Sequence, residues 1–130
     1  MPKAQSVDIY EALNTLTFFP GRTPHTSDEE SADAFACLSD FQNGGVYVGH
    51  YQGNSEWERH SHGDELVMVV EGETTIFLLR DGQQTAHRLQ ANGLIVVPQG
   101  VWHRFETPEA VKILTITPQP TDHQVEMPSD

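Results

Sequence analysis

From residue 33 onward the chain is cut into short pieces by turn-forming sequences, and this punctuation limits the fold more than any other feature. Asn43-Gly44-Gly45, Gln52-Gly53-Asn54-Ser55, Gly63-Asp64, Glu71-Gly72-Glu73, Asp81-Gly82-Gln83, Ala91-Asn92-Gly93 and Pro98-Gln99-Gly100 follow one another, at roughly the eight- to twelve-residue spacing of all-β folds. Asn and Gly tolerate positive φ, so Asn43-Gly44-Gly45 reads as a hairpin turn. The intervening segments are rich in β-branched and aromatic residues: 35–41, 46–51, 57–62, 65–70, 74–80, 85–89, 94–97, 101–105 and 111–117. Nine short strands with no helix-period segment between them predict an all-β sandwich or barrel and exclude a parallel α/β sheet. Before them, apolar positions 9, 12, 13 and 16 suggest a short helix over 7–16, with an edge strand as the alternative. A polar loop marked by Pro20-Gly21 and Pro24 then runs to about Ser31.

The chain has 130 residues, 37% hydrophobic and 20% charged, which fits one globular domain. We divide it into an N-terminal extension (1–32), the β unit (33–118) and an acidic tail (119–130). No apolar run approaches the roughly 20 residues of a membrane-spanning helix. Met1 to Ser6 lacks the apolar core of a secretory signal, and the protein reads as cytoplasmic. A net charge of −12, from 7 basic and 19 acidic residues, disfavours nucleic acid and anionic membranes as partners. The single cysteine rules out an intrachain disulfide and a thiolate zinc site. Cys37 lies in the apolar run 34–38 and is expected to be a buried small hydrophobe.

Seven histidines are present. His25, His87 and His123 sit in polar stretches and are expected at the surface. His50, His60, His62 and His103 lie in or beside predicted strands. Side chains alternate along a strand, so Glu58, His60 and His62 share a face. Glu65 follows the turn Gly63-Asp64 and returns beside them. Imidazoles plus a carboxylate suit a divalent first-row metal. An HxH pair by itself is more often two solvent-exposed side chains or a hydrogen-bonded core pair, and a lone histidine such as His103, between Val101 and Phe105, is usually a core residue. Together, across a barrel, they make a candidate site.

The segment from Gly53 through His60-Ser61-His62-Gly63-Asp64-Glu65 to Gly72 resembles the first motif of the cupin family. The segment from Gly93 through Pro98 and His103 to Thr107 resembles the second. The resemblance implies a double-stranded β-helix, the jelly-roll barrel, holding iron, manganese, nickel or zinc, with His60, His62, Glu65 and His103 as metal ligands. It also implies a homodimer. The sequence departs from the pattern: only two residues separate His62 from Glu65, where three or four are usual, Gly93 stands one residue closer to Pro98, and Thr107 stands where Asn is common. Two registers result. In one, His60 and His62 are both ligands. In the other, Glu58 takes the first histidine's place and His60 the second. Both keep His60, Glu65 and His103.

Val67, Val69, Ile95, Val97, Val101 and Phe105 are expected to face inward and form an apolar pocket for a small molecule, with His50 as a further member. His50 or Glu58 is the candidate general base. The structural alternative pairs Glu58 with Arg59 or Arg104. Trp57 and Trp102 fall on the outer face and need a cover, either the N-terminal segment or a second subunit. Two functions fit: a metal-dependent enzyme of oxygenase, isomerase or lyase type acting on a small organic molecule, or a non-catalytic ligand-binding cupin with a structural or absent metal.

Overall fold

The structure, a computed structural model, describes residues 4–129; of the N-terminal stretch read above, residues 1–3 lie outside it. A six-residue helix, α1 (Ile9–Asn14), starts at Asp8, whose Oδ1 accepts the Glu11 amide at 2.9 Å. Nine strands follow: β1 (Phe19–Arg22), β2 (Phe35–Phe41), β3 (Gly44–Asn54), β4 (Trp57–His60), β5 (Glu65–Arg80), β6 (Gln83–Gln90), β7 (Leu94–Val97), β8 (Trp102–Pro118) and β9 (Thr121–Gln124). The count agrees with the sequence reading, but the strands are not the same ones. Segments 65–70 and 74–80 are one strand that bends, as are 101–105 and 111–117. The two strands gained lie where a polar loop and an acidic tail were expected.

The long strands β5 and β8 each serve two layers. The second half of β8 lies between β3 and the first half of β5, which also pairs with β7; β2 and β1 pair with β3. The first half of β8 lies between the second half of β5 and β4; β6 and β9 flank these. The sheet is not closed. The bend in β5 is at Gly72, with φ of 82°. A Cβ there would stand 2.2 Å from the Ala110 carbonyl oxygen, so glycine is required on both conformational and steric grounds.

Between the layers lies one apolar cluster built on Val67, Val69, Ile76, Val97, Phe105 and Ile113, with Ile95 and Val101 packed against it. The inward positions read from strand alternation are therefore correct, but of the six only Phe105 lines the cavity; Val67, Val69, Ile95, Val97 and Val101 pack the core instead of forming a pocket. The outer face of the first layer is covered by α1, whose Leu13 packs with Val48 and Leu114. On the outer face of the second layer, Trp57 and Trp102 pack with Leu79. Their cover differs from the expectation. The Arg59 guanidinium lies 4.6 Å from the Trp102 ring and that of Arg104 lies 5.3 Å from Trp57. Long side chains from the same two strands supply the cover, and α1 lies on the other layer. Cys37 is exposed, not buried, because it falls on the solvent face of β2. His25 and His123 are exposed and His87 is half-buried. Among the described residues no helix is long and apolar enough to cross a membrane.

Candidate metal centre

Strand pairing brings three side chains to one point between the layers. His60 ends β4, Glu65 begins β5 and His103 lies in β8. Their ligand atoms all fall within 4.8 Å of one another. All three residues are buried, His103 completely. The His103 Nε2 lies 3.1 Å from Glu65 Oε1 and the His60 Nε2 lies 3.4 Å from Glu65 Oε2.

The groups behind these side chains decide which atoms face inward as lone pairs. The Val101 carbonyl can only accept, so His103 Nδ1, at 3.0 Å, donates to it. Neutral His103 then presents a bare Nε2 to the carboxylate. Thr121 Oγ1 donates to Gln119 Oε1 at 3.2 Å, which leaves that oxygen to accept the His60 Nδ1 proton at 3.0 Å. His60 Nε2 is therefore also a lone pair. Thr117 Oγ1 donates to Glu65 Oε2 at 2.6 Å, and the neighbouring Thr115 hydroxyl stands 2.9 Å from Thr117. Among the described residues, His60 Nε2, His103 Nε2 and Glu65 Oε1 are buried with no hydrogen-bond partner outside the cluster itself. Three acceptors turned toward each other require a proton or a cation between them.

In the absence of a cation, protons fill that need. Burial would push the Glu65 carboxyl up, but hydrogen bonds and charge from His103 and His60 outweigh it and hold it at about 2. Burial likewise pushes the His103 imidazole down, and the facing Glu65 carboxylate reverses this to a net rise. A divalent ion would satisfy the same three atoms at once, and the backing by Thr117, Thr121 and Val101 is the arrangement that orients metal ligands.

Glu65 of this cluster lines an open cavity of about 550 Å³, whereas His60 and His103 do not. Phe35, Tyr47, Tyr51 and Phe105 give it aromatic walls, and Glu58, Arg22 and Thr121 add polar groups.

A family model described as the cupin domain, Cupin_2, matches residues 47–117. The chain belongs to the cupin family. Its all-β, two-layered architecture is the jelly-roll form of that fold. A cupin-2 domain protein from Shewanella frigidimarina is 28% identical, with a TM-score of 0.57 over 65% of this chain and 79% of that one. A hydroquinone 1,2-dioxygenase in complex with Cd2+ and 4-hydroxybenzonitrile shares the fold, with a TM-score of 0.61 at 20% identity over 87% of this chain and 72% of that one. The acireductone dioxygenase of Drosophila melanogaster is 28% identical over 102 residues, 77% of this chain and 50% of the relative. This cupin thus spans about half the length of the curated relatives it matches.

The remaining sequence candidates fall in different places. His62 is exposed in the turn after β4 and stands apart from the three converging residues. Strand pairing stops at His60, opposite Thr121, so the alternation that put 58, 60 and 62 on one face no longer applies at 62. The turn is instead pinned from outside. Asn43 Nδ2 donates to the His62 carbonyl at 3.0 Å, and Asp64 Oδ1 accepts the Gln99 amide at 2.7 Å. Glu58 lies on the cavity wall, directly opposite His103 in the β4–β8 register. Among the described residues it has no ion pair: Arg59 pairs with Asp122 and Arg104 with Glu106. His50 faces away, stacked on Phe18 at 4.8 Å and lining a separate surface hollow with Glu71 and Lys112. The odd-numbered Tyr47 and Tyr51 of β3 point into the cavity, so His50 is on the wrong face to act there.

Sequence reasoning missed Thr117 and Thr121. Thr117 ends a run read only as strand. Thr121 comes from a segment read as a solubilising tail. A period-two signal was present at Thr115 and Thr117, but nothing local marked Thr121.

Proposed function

We propose that this cupin holds a divalent first-row metal on His60, Glu65 and His103 and acts as an oxygenase on a small organic molecule in the cavity. The observation that carries this reading is the convergence of three buried, unpartnered donor atoms, one of them on Glu65, which lines the cavity. Two imidazoles and one carboxylate form the donor set associated with non-haem iron oxygenases, which leaves positions open for other ligands. When bound, such an ion supplies Lewis acidity and, for iron, electrons for dioxygen chemistry. The likenesses to proteins named acireductone dioxygenase and hydroquinone 1,2-dioxygenase point the same way.

The chain's own residues have separate tasks in this scheme. Thr117 orients the Glu65 carboxylate through its hydrogen bond to Oε2. Thr121 and the Val101 carbonyl hold each imidazole in the tautomer with a free Nε2. Phe35, Tyr51 and Phe105 bind an apolar ring or chain and exclude water. Glu58, on the wall beside His103 and free of any basic partner, is placed to accept a proton from a substrate hydroxyl. A second reading, a ligand-binding cupin without turnover, draws support from the same Glu58: in the register where it takes the first histidine's place, three donors stand where four are usual.

Plasma mass spectrometry of tag-free protein tests the metal, with His103→Ala beside it. Close to one equivalent of a first-row metal, absent in the variant, is expected. Oxygen uptake on hydroquinone then separates the two readings. Metal without uptake on this or related phenols and enediols selects the binding protein. No metal in either sample, even after reconstitution, removes the proposed centre.

A further inference from the structure

Six of the seven cationic side chains fall among the described residues, and four of those are paired with carboxylates: Arg59, Arg88, Arg104 and Lys112. Arg80 is exposed at a strand end. Arg22 differs from all of these. It is half-buried, lines the same cavity as Glu65 and has no carboxylate within ion-pair distance among the described residues. Asp28, an acidic residue of the same lining, is exposed.

Arg22 is also firmly placed. Its strand β1 runs parallel to β3, with Arg22 opposite Gly53. Gly53 has φ of 116°, and a Cβ there would stand 2.2 Å from the Arg22 carbonyl oxygen; only glycine lets β1 come this close. The Gly21 amide donates to Gln52 Oε1 at 2.6 Å and fixes the same turn. The Arg22 guanidinium then lies 4.7 Å from the Tyr51 ring centre and 5.3 Å from that of Phe35. Stacking occupies the faces of the guanidinium, the Tyr51 hydroxyl is a hydrogen-bond partner of its edge, and the remaining in-plane N–H groups are left for a ligand.

Resting on the reading of this cavity as a small-molecule site, we infer that Arg22 anchors the carboxylate of a small planar organic acid lying over the metal centre. The rest of the lining favours one end for the anion. Glu58 repels it from the part of the wall beside His103, while Arg22 offers a bidentate partner elsewhere in the lining. The aromatic walls between them suit a ring or a conjugated chain. The ligand's neutral or hydroxyl-bearing end is then turned toward the centre and its charged end toward Arg22.

The test compares benzoate with its neutral analogue benzamide by calorimetric titration. It uses wild-type protein, Arg22→Met and Arg22→Lys, each with its metal content measured and each repeated after chelation. Wild-type protein is expected to prefer benzoate by about tenfold or more, the scale of a charged hydrogen-bonded pair, with or without metal. Arg22→Met is expected to erase that preference while benzamide binding stays unchanged, and Arg22→Lys to keep part of it. The inference fails if the preference survives in Arg22→Met. It fails also if chelation alone removes the preference, which assigns the carboxylate to the metal, or if wild-type protein binds no benzoate in the millimolar range. Should Arg22→Met not fold by circular dichroism, the wild-type ratio and Arg22→Lys decide. Benzoate held through Arg22 by protein that binds no metal would keep the anchor and remove the oxygenase. Metal without benzoate binding would do the reverse.

Discussion

Strands β4 and β8 carry polar side chains on both faces, and the two faces solve the problem of those groups in opposite ways. On the outer face Arg59 and Arg104 lie over Trp102 and Trp57 and reach Asp122 and Glu106 with their charged ends. Each polar group there has a partner or water. On the inner face, one residue along each strand, His60 and His103 meet Glu65 with three donor atoms unsatisfied. The outer face is finished as folded. The inner face is complete only with a proton or a cation, and the fold holds it that way through Thr117, Thr121 and Val101. Polar residues near an apolar cluster therefore say little by themselves; what separates scaffold from site is whether the surroundings satisfy them.

The sharpest break of this comparison is Glu65→Gln. It leaves two imidazole lone pairs without the anionic ligand, and metal affinity should fall by well over the about 100-fold typical of an outer partner. Equilibrium dialysis measures it, and retention of metal would mean that the inner face is also finished as folded. Next comes Trp102→Ala, which removes a buried indole from the outer cluster. A loss of about 3 kcal/mol in urea unfolding is expected, with metal occupancy in the native protein unchanged.

Thr121→Val tests the backing of the inner face. It frees the His60 ring to take the wrong tautomer, and metal affinity should drop by about 10- to 100-fold, with little change in the near-ultraviolet spectrum. The smallest effect is expected at His62→Ala. Its exposed side chain should be neutral for both stability and metal, and a lost metal would restore the two-histidine register.

A pH series sharpens the same contrast, because protons and metal compete for the inner face alone. Glu65 is held at about 2, below its ordinary 4.5, so its contribution to stability is present above 4.5 and is lost as pH falls toward 2. His103 is raised above 6.5, so its contribution is full below 6.5 and is lost as pH climbs through the raised value. Metal-free protein should therefore be most stable between these limits and weaken on the alkaline side. Metal binding needs the free Nε2 and should strengthen over that alkaline range, by up to about tenfold per pH unit for each proton displaced. Thermal melts with and without metal should diverge as pH rises. Parallel curves would argue that no proton is displaced.

Much of the fold was legible from local signals. Turn residues at 81–83 and 91–93 divide the chain where the structure does, and period-two alternation named Val67, Val69, Val97 and Phe105 as inward; the turn expected at 43–45 falls one residue earlier, at Gln42-Asn43, with the positive φ at Gln42 and both glycines inside β3. The same alternation misled at two places. It was carried past His60 into the turn, which promoted His62, and it was not applied strictly to β3, where His50 is out of phase with Tyr47 and Tyr51. Gly72 was read as a connector, whereas it is a bend inside one strand. A glycine with positive φ marks both, and only the partner strand tells them apart.

By itself the sequence determined the all-β character, the order of the two motifs, the glycines at the tight approaches and three of the side chains at the centre. These follow from side-chain period and turn chemistry, which act over a few residues. Tertiary structure decided where β4 ends, that residues 121–124 return as a strand to put Thr121 behind His60, and that 19–22 dock beside Gly53 to put Arg22 over Tyr51. Those choices rest on hydrogen bonds and packing between segments as much as 61 or 63 residues apart. No local pattern encodes such a partner; it is selected when the whole sheet assembles.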